Sequence, residues 1–173
     1  MKLRPTLVLI SFCTRAVIVG AQSSTQETEE AQETRVRAYW VDPSTGLMWA
    51  GKDNGKDVSW KKAMKYCRNL QLAGYSDWRL ATLGELVGMY DKSANAPGEN
   101  PRSRWHEAEP MTFHVKGGLF LTGNQWSSKC RSDDRGHPSG YGWFFDFNEG
   151  RADNDELGFD TNKHALCMRG SEK

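Results

Sequence analysis

The chain has 173 residues, a length that suits one domain with a sizeable core and is too short for two ordinary domains. It contains 23 lysines and arginines and 22 aspartates and glutamates, which give a formal net charge of +1 at pH 7. This balance lacks the positive excess that is typical of nucleic-acid-binding proteins. Beyond the N-terminal segment, no apolar run approaches the roughly 20 residues of a membrane-spanning helix.

The first 21 residues have the pattern of a secretory signal peptide. Residues 1–5 are basic, residues 6–13 are mostly apolar, and residues 19–21 offer the small side chains of a cleavage site. Arg15 interrupts the apolar stretch, so an uncleaved or mis-started N-terminus is the alternative. The pattern predicts a protein that is secreted, periplasmic or held on the cell surface.

Residues 22–34 are mostly Gln, Ser, Thr and Glu and predict a disordered leader or tether. Such a segment has too few apolar side chains to offset the entropy lost on ordering. The folded domain is predicted for residues 35–171. It opens with a strand at residues 36–41, a turn rich in Pro, Ser and Gly, and a partner strand at residues 47–50.

Two helices are predicted next. In the first, at residues 60–71, the apolar residues recur at helical spacing, with Ser59 in the N-cap position and Gly74 suited to the left-handed position that ends a helix. The apolar residues are Trp60, Ala63, Met64, Cys67 and Leu70. Thr82 and Glu85 then form a Thr-x-x-Glu capping box, which predicts the second helix at residues 83–90.

The second half of the chain predicts a long loop followed by strands. Residues 91–119 carry three prolines and little periodicity, and loops of this length are usually functional or mobile. The predicted strands are residues 120–126, 141–147, 151–153 and 164–169. This order of elements predicts an α+β domain whose two ends meet in one sheet.

Several segments together match a family pattern. They are Asp42 with residues 45–49, Trp60, Ala63, residues 66–67, Leu70, residues 72–80, residues 126–128, residues 143–147 with Gly150, and residues 167–170. With these segments the chain resembles the Lcl C-terminal domain family, a bacterial family of unknown function named for the end domain of a collagen-like adhesin. The resemblance spans about residues 38–170, and Ala81 stands where the family usually has proline.

The resemblance implies a fold and a disulfide. The fold is C-type-lectin-like, with two helices packed on small antiparallel sheets beside a long loop region, as in formylglycine-generating enzymes and retroelement-diversified receptor proteins. The implied disulfide joins Cys67 to Cys167, and the position of Cys67 on the apolar face of the first helix agrees with it. Two buried free thiols are the alternative. Cys130 is then unpaired within the domain.

The resemblance to an adhesin domain also favours ligand binding. Trp105, in the long loop, and Trp126, in a matched segment, are candidates for stacking on a sugar ring. Lys129, Arg131 and Arg135 lie in a predicted polar loop and could hold a sulfated or acidic glycan by charge-assisted hydrogen bonds. A solvated loop without a ligand is the alternative.

Neither a metal nor a cofactor is predicted. Ser127 and Ser128 stand where calcium-dependent lectins have Asn and Asp after the tryptophan. A cluster of acidic residues near the C-terminus has oxygen ligands suited to calcium, but it lacks the spacing of a known loop motif and a solvated acidic hairpin is the alternative. These residues are Asp153, Asp155, Glu156 and Asp160.

An enzymatic function has weak support in the sequence. The four histidines are widely spaced, and no His or Cys pair has metal-binding spacing. Cys130 and His137 are separated by seven residues, which is poor evidence for a nucleophile and its base. A single Cys130 also does not reproduce the copper-binding cysteine pair of the formylglycine-generating enzymes.

We therefore expect an exported, non-enzymatic binding or adhesion module. Its ligand is a glycan, with a sulfated polysaccharide as the leading candidate, or a protein on a cell surface. A structural surface domain without a small ligand is the first alternative. An oxidoreductase like the formylglycine-generating enzymes is the second.

Overall fold

The computed structural model describes residues 38–100, 107 and 109–170. The predicted signal peptide, the predicted disordered leader and the candidate ligand residue Trp105 lie outside the described residues. Among the helices of the described segments, none is long and apolar enough to cross a membrane.

The described residues form two helices and ten strands, an α+β arrangement in which the sheets are mostly antiparallel. This confirms the predicted class. The helices are α1, Trp60–Asn69, and α2, Leu83–Met89. The strands are β1 Tyr39–Val41, β2 Met48–Ala50, β3 Arg79–Leu80, β4 Ala96–Asn100, β5 Glu109–Phe113, β6 Asn124–Ser132, β7 Pro138–Asp146, β8 Arg151–Glu156, β9 Lys163–His164 and β10 Cys167–Arg169.

The first sheet joins the two ends of the domain. Its strand order is β1-β2-β10-β3, and all of its pairings are antiparallel. The terminal strand β10 lies in the middle, where Met168 is paired with Trp49 on one side and with Arg79 on the other. The prediction that the two ends meet in one sheet is confirmed.

A second four-stranded sheet has the order β8-β7-β6-β9. In it β6, β7 and β8 form an antiparallel meander, and β9 pairs with β6 in parallel. Strands β4 and β5 form a separate two-stranded sheet. Strands β6 and β7 form a hairpin whose residues become less buried towards its turn. The hairpin therefore extends from the core to the outside of the molecule.

Buried side chains form two clusters. One includes Trp49, Leu86 and Phe147, and the other packs α1 against Trp78 and Trp126. The disulfide between Cys67 and Cys167 lies in the second cluster and joins α1 to β10. The predicted pairing is confirmed, and Cys130 is a free cysteine.

Helix α1 ends two residues earlier than predicted. Leu70 already has an extended backbone with ψ 129°, and the Ser59 side chain makes no capping hydrogen bond. Gly74 has the predicted left-handed backbone, with φ 81°, but it lies in a tight turn where Leu72 and Tyr75 exchange backbone hydrogen bonds. The prediction that Gly74 ends the helix is therefore wrong.

Helix α2 begins at the predicted capping box. The Oγ1 atom of Thr82 accepts a hydrogen bond from the Glu85 amide, and the Glu85 carboxylate accepts one from the Thr82 amide at 2.7 Å. Arg79, at the preceding strand, donates to the same carboxylate. Burial alone would raise the pKa of Glu85, but the hydrogen bonds from Arg79 and Thr82 lower it overall.

The region predicted as a long irregular loop contains β4 and β5 in its described part. Pro97 is paired with Thr112, and Pro110 is paired with Glu99. Proline lacks a backbone donor, and a two-stranded sheet tolerates it because each strand has an edge that needs no ladder hydrogen bond. The prediction of an irregular loop was therefore wrong for these residues, because it relied on the proline content.

Two further predictions on the strands are wrong in detail. The predicted terminal strand at residues 164–169 is interrupted, because β9 pairs in the second sheet and β10 in the first. Lys129 and Arg131 lie in β6, so the turn of the hairpin begins only after Ser132. The interruption of the terminal strand and the position of the hairpin turn both depend on pairing between distant strands. A local sequence pattern does not indicate such pairing.

Candidate functional site

The β6–β7 hairpin changes register twice. Trp126 is paired with Phe144, Cys130 with Gly142, and Ser132 with Pro138. Between the first two pairs, β6 advances by four residues while β7 advances by two. Between the last two pairs, β6 advances by two residues while β7 advances by four. Such bulges bend a hairpin and redirect its side chains.

The inner bulge is held by contacts from distant parts of the chain. The indole nitrogen of Trp60 donates to the Ser127 carbonyl at 2.8 Å, and the Ser128 amide donates to the Ala81 carbonyl at 2.7 Å. Both bulge residues therefore satisfy hydrogen bonds that the β6–β7 ladder does not provide. Helix α1 and the segment before α2 together set the shape of the hairpin.

Beyond the bulge, one face of the hairpin combines two basic and two aromatic side chains. Lys129 and Arg131 flank Cys130, and Tyr141 and Trp143 flank its partner Gly142. Because side chains alternate between the two faces of a strand, these four lie on the same face. We call Lys129, Arg131, Tyr141 and Trp143 the hairpin face. Lys129 and Arg131 are exposed, Tyr141 is 38% exposed, and Trp143 is partly buried.

The turn of the hairpin is ordered by one carboxylate. Asp133 accepts hydrogen bonds from the amides of Arg135 and His137 at 2.9 and 2.8 Å. The amide of Asp133 donates in return to the His137 carbonyl at 2.8 Å. The turn therefore presents the exposed Arg135 at the end of the hairpin.

The positive charges of this region are available to a ligand. Among the described residues, Lys129, Arg131 and Arg135 have no ion pair. The neighbouring Asp133 pairs with His137 at 3.5 Å, and its backbone hydrogen bonds occupy one of its oxygens. Arginine and lysine in such a setting favour sulfate or carboxylate groups.

An open pocket of about 500 Å³ adjoins the hairpin face. It lies where the start of β7 and the end of β8 meet the start of α1. Tyr141 belongs both to this pocket and to the hairpin face. The lining residues are Ser59, Lys61, Gly140, Tyr141, Glu156, Leu157 and Gly158.

Trp126 does not take part in this surface. It is fully buried, its indole nitrogen donates to the Val58 carbonyl at 2.8 Å, and its ring packs edge-on against Phe144. A ligand cannot reach the ring in this conformation, so we leave Trp126 out of the candidate site. The matched tryptophan–serine–serine segment instead anchors the bulge to the core.

Sequence reasoning did not single out Tyr141 and Trp143 as ligand residues. The alternation of Trp143 and Phe145 identified a strand, but it did not indicate which end of that strand leaves the core. Phe145 is 2% exposed and Tyr141 is 38% exposed, so exposure increases along one face of β7. The pairing of Gly142 with Cys130 is what places these rings beside the basic residues.

A buried polar centre lies behind the hairpin. The Asp53 carboxylate accepts hydrogen bonds from the Thr122 amide, the Thr122 hydroxyl and the Gln125 side chain, at 2.7 to 2.8 Å. Nδ1 of the fully buried His164 lies 2.8 Å from the same hydroxyl. Burial lowers the pKa of His164, although Asp53 and Asp57 act to raise it. This centre joins three segments of the chain, at residues 53–57, 122–125 and 164.

Metal binding by the acidic residues and nucleophilic chemistry at Cys130 were the alternatives considered from the sequence. No group of three or more His, Cys, Asp or Glu side chains among the described residues converges to hold a metal ion. Asp153, Asp155 and Glu156 lie along β8, and Asp155 pairs with the buried Lys163 at 3.4 Å. Burial raises the pKa of the Cys130 thiol, which disfavours the thiolate that a nucleophile needs.

A comparison with models of protein families identifies a match that covers most of the chain. The model of the Lcl C-terminal domain matches residues 38–169, which include every described element from β1 to β10. A search of curated proteins found no match.

Proposed function

The chain belongs to the Lcl C-terminal domain family, and on this premise we propose that it is an exported, non-enzymatic binding or adhesion module for a sulfated polysaccharide. The observation that carries the proposal is the hairpin face, where the unpaired Lys129 and Arg131 lie beside Tyr141 and Trp143. Arg135 extends the positive surface to the turn.

This combination suits a sulfated sugar chain. Guanidinium and ammonium groups form charge-assisted hydrogen bonds to sulfate oxygens. An exposed aromatic ring offers a flat apolar surface on which the C–H face of a sugar ring can pack. A neutral glycan would leave the cations without a role, and a compact anion would leave the rings without one.

Export is supported by the disulfide. The Cys67–Cys167 pair closes a loop of 100 residues, and disulfides persist in oxidising compartments outside the cytosol. The predicted signal peptide points the same way. Cleavage after residue 21 would release the domain on a polar leader, which suits presentation on a surface.

We also propose that the fold is C-type-lectin-like. In support, two helices pack against small sheets, the two ends of the domain meet in one sheet, and a disulfide ties α1 to the terminal strand. These features agree with the fold that the family resemblance implies.

Retention on a heparin resin tests the proposed ligand. Replacing Lys129, Arg131 and Arg135 by Ala should abolish retention, since these cations would contact the sulfates. Retention of the unmutated protein should weaken as salt rises, because exposed charges are screened over about 8 Å at physiological ionic strength. A chelator should have no effect.

A second triple variant controls for the loss of charge alone. Lys52, Lys56 and Lys92 are also exposed, lie outside the hairpin, and can be replaced by Ala together. This control should be retained almost as well as the unmutated protein, and both variants should keep its melting temperature because exposed charges contribute little to folding. Equal loss in both variants would mean nonspecific cation exchange. No retention of the unmutated protein at low salt would reject sulfated glycans and favour the protein-partner or structural alternative.

A further inference from the structure

Helix α1 carries a line of basic residues that the hairpin does not explain. Its ten residues include four cations and no acid, and all four cations are exposed. Lys61, Lys65 and Arg68 follow the spacing i, i+4, i+7, so they form one line about 10 Å long on the outer side of the helix. Lys62 lies next to the first of them.

This arrangement is unfavourable in the first turn and the middle of the helix, whereas Arg68 in the last turn complements the helix dipole. Like charges three or four residues apart repel each other, and cations in the first turn oppose the helix dipole. The first turn contains no acid, the Ser59 side chain does not cap it, and no ion pair within the described residues offsets these cations. Such conflicts with local stability are typical of positions retained for function.

The pocket connects this line of charge to the hairpin face. Lys61, the first cation of the line, lines the pocket together with Tyr141 of the hairpin face. The two basic surfaces therefore meet at the pocket. Glu156 is the acidic residue of the lining and it is exposed, so the pocket suits an uncharged part of a ligand whose anionic groups lie on either side.

We propose that one linear sulfated polysaccharide crosses both surfaces, from the hairpin face through the pocket and along α1 to Arg68. This inference rests on the proposed function and adds Lys61, Lys65 and Arg68 to the binding site. A sugar ring occupies the pocket against Tyr141, and sulfates on the neighbouring rings contact the cations on each side.

Heparin fragments of two lengths test this path. A disaccharide reaches only one of the surfaces, whereas a dodecasaccharide reaches both. Replacing Lys61, Lys65 and Arg68 by Ala should weaken binding of the dodecasaccharide about tenfold, as expected for three exposed charge contacts. Disaccharide binding should change less than twofold. The Lys52, Lys56 and Lys92 triple variant is the matched control.

Pocket variants separate sugar contacts from charge alone. Tyr141→Ala should weaken dodecasaccharide binding several-fold and leave binding of inorganic polyphosphate, which has no sugar ring, unchanged. Glu156→Gln should tighten dodecasaccharide binding because it removes the acidic group nearest the chain. Equal losses for heparin and polyphosphate in Tyr141→Ala would contradict a ring in the pocket.

The outcomes distinguish this path from the hairpin site. If the hairpin variant loses heparin and the α1 variant matches the control, the path along α1 is wrong and the proposed function stands. If the α1 variant alone loses heparin, the hairpin proposal is wrong. If the unmutated protein binds neither fragment, both proposals fail.

The melting temperature of the α1 variant should equal or exceed that of the unmutated protein, because the variant removes repulsion and adds helix-favouring alanines. A large decrease would contradict the unfavourable placement argued above.

Discussion

Nε2 of His164 lies 3.2 Å from Oδ1 of Asp57, without hydrogen-bond geometry. The other ring nitrogen faces the Thr122 hydroxyl, which is also 2.8 Å from the Asp53 carboxylate. A neutral imidazole and one hydroxyl supply two hydrogens for these three contacts, and a protonated imidazole would supply the third. When the imidazole ring is neutral, one of these three contacts therefore has no hydrogen between its two atoms.

Acid should destabilise the protein through His164. Burial lowers the pKa of His164 despite Asp53 and Asp57, and the nearby Lys163 lowers it further. In the unfolded chain the pKa is about 6.5, so the unfolded state binds the proton first as pH falls. The stability associated with the neutral ring is present above about pH 6.5 and is lost as pH falls from there towards the lower folded pKa.

The matched variant is Asp57→Asn. Removing this partly exposed carboxylate takes away a charge that raises the pKa of His164, and the new amide can donate to Nε2. Thermal unfolding between pH 7.5 and pH 5 should therefore show a steeper acid loss in Asp57→Asn than in the unmutated protein. A shallower loss would contradict the conclusion that Asp57 raises the pKa of His164. NMR titration of His164 measures the pKa directly.

Loss of the disulfide should lower the melting temperature by at least several degrees. Cys67 and Cys167 are separated by 100 residues, and removing a bridge of this kind typically costs about 2 to 5 kcal/mol, although the entropic explanation is disputed. Thermal unfolding of Cys67→Ser measures the effect. Cys130→Ser is the control and should change little, since Cys130 is unpaired. Equal stability of both variants would mean that the bridge does not form in the protein.

Thr82→Ala should reduce the free energy of unfolding by about 1 kcal/mol. The Glu85 amide loses its acceptor, and the reciprocal half of the capping box alone remains. Urea unfolding measures the change. Thr82→Ser keeps the hydroxyl and should restore most of the stability, so a loss as large as that of alanine would point to the methyl group instead of the cap.

Gly98→Ala should destabilise the protein by about 1 to 3 kcal/mol, as expected for overpacking. A Cβ atom at this position would lie 2.2 Å from the Leu121 carbonyl oxygen and 2.4 Å from the Phe113 ring. Gly88→Ala is the control, because a Cβ there meets nothing within 4 Å and alanine favours the helix. Unchanged stability in Gly98→Ala would mean that β4 does not pack against Leu121 as described.

The sequence by itself determined the elements that depend on neighbouring residues. Thr82 and Glu85 identify the start of α2 because the capping box closes within four residues. The spacing of apolar residues located α1 to within two residues of its end. The family resemblance supplied the pairing of Cys67 with Cys167.

The tertiary structure decided the elements that depend on distant partners. Strands β4 and β5 form in a proline-containing region because they pair with each other and because Ala96 and Phe113 are buried. Trp126 is in the core because Val58, 68 residues earlier, accepts its indole hydrogen. No local pattern records such a partner.

The candidate site belongs to the second group. Lys129 is recognisable as a basic residue in any sequence, but the bulge held by Trp60 sets the register that places it on the same face as Trp143. Lys61 reaches that surface only because α1 begins beside the start of β7 and the end of β8. A binding surface joins side chains that are far apart in the chain. The sequence therefore shows which chemical groups are present, and long-range packing decides how they are arranged.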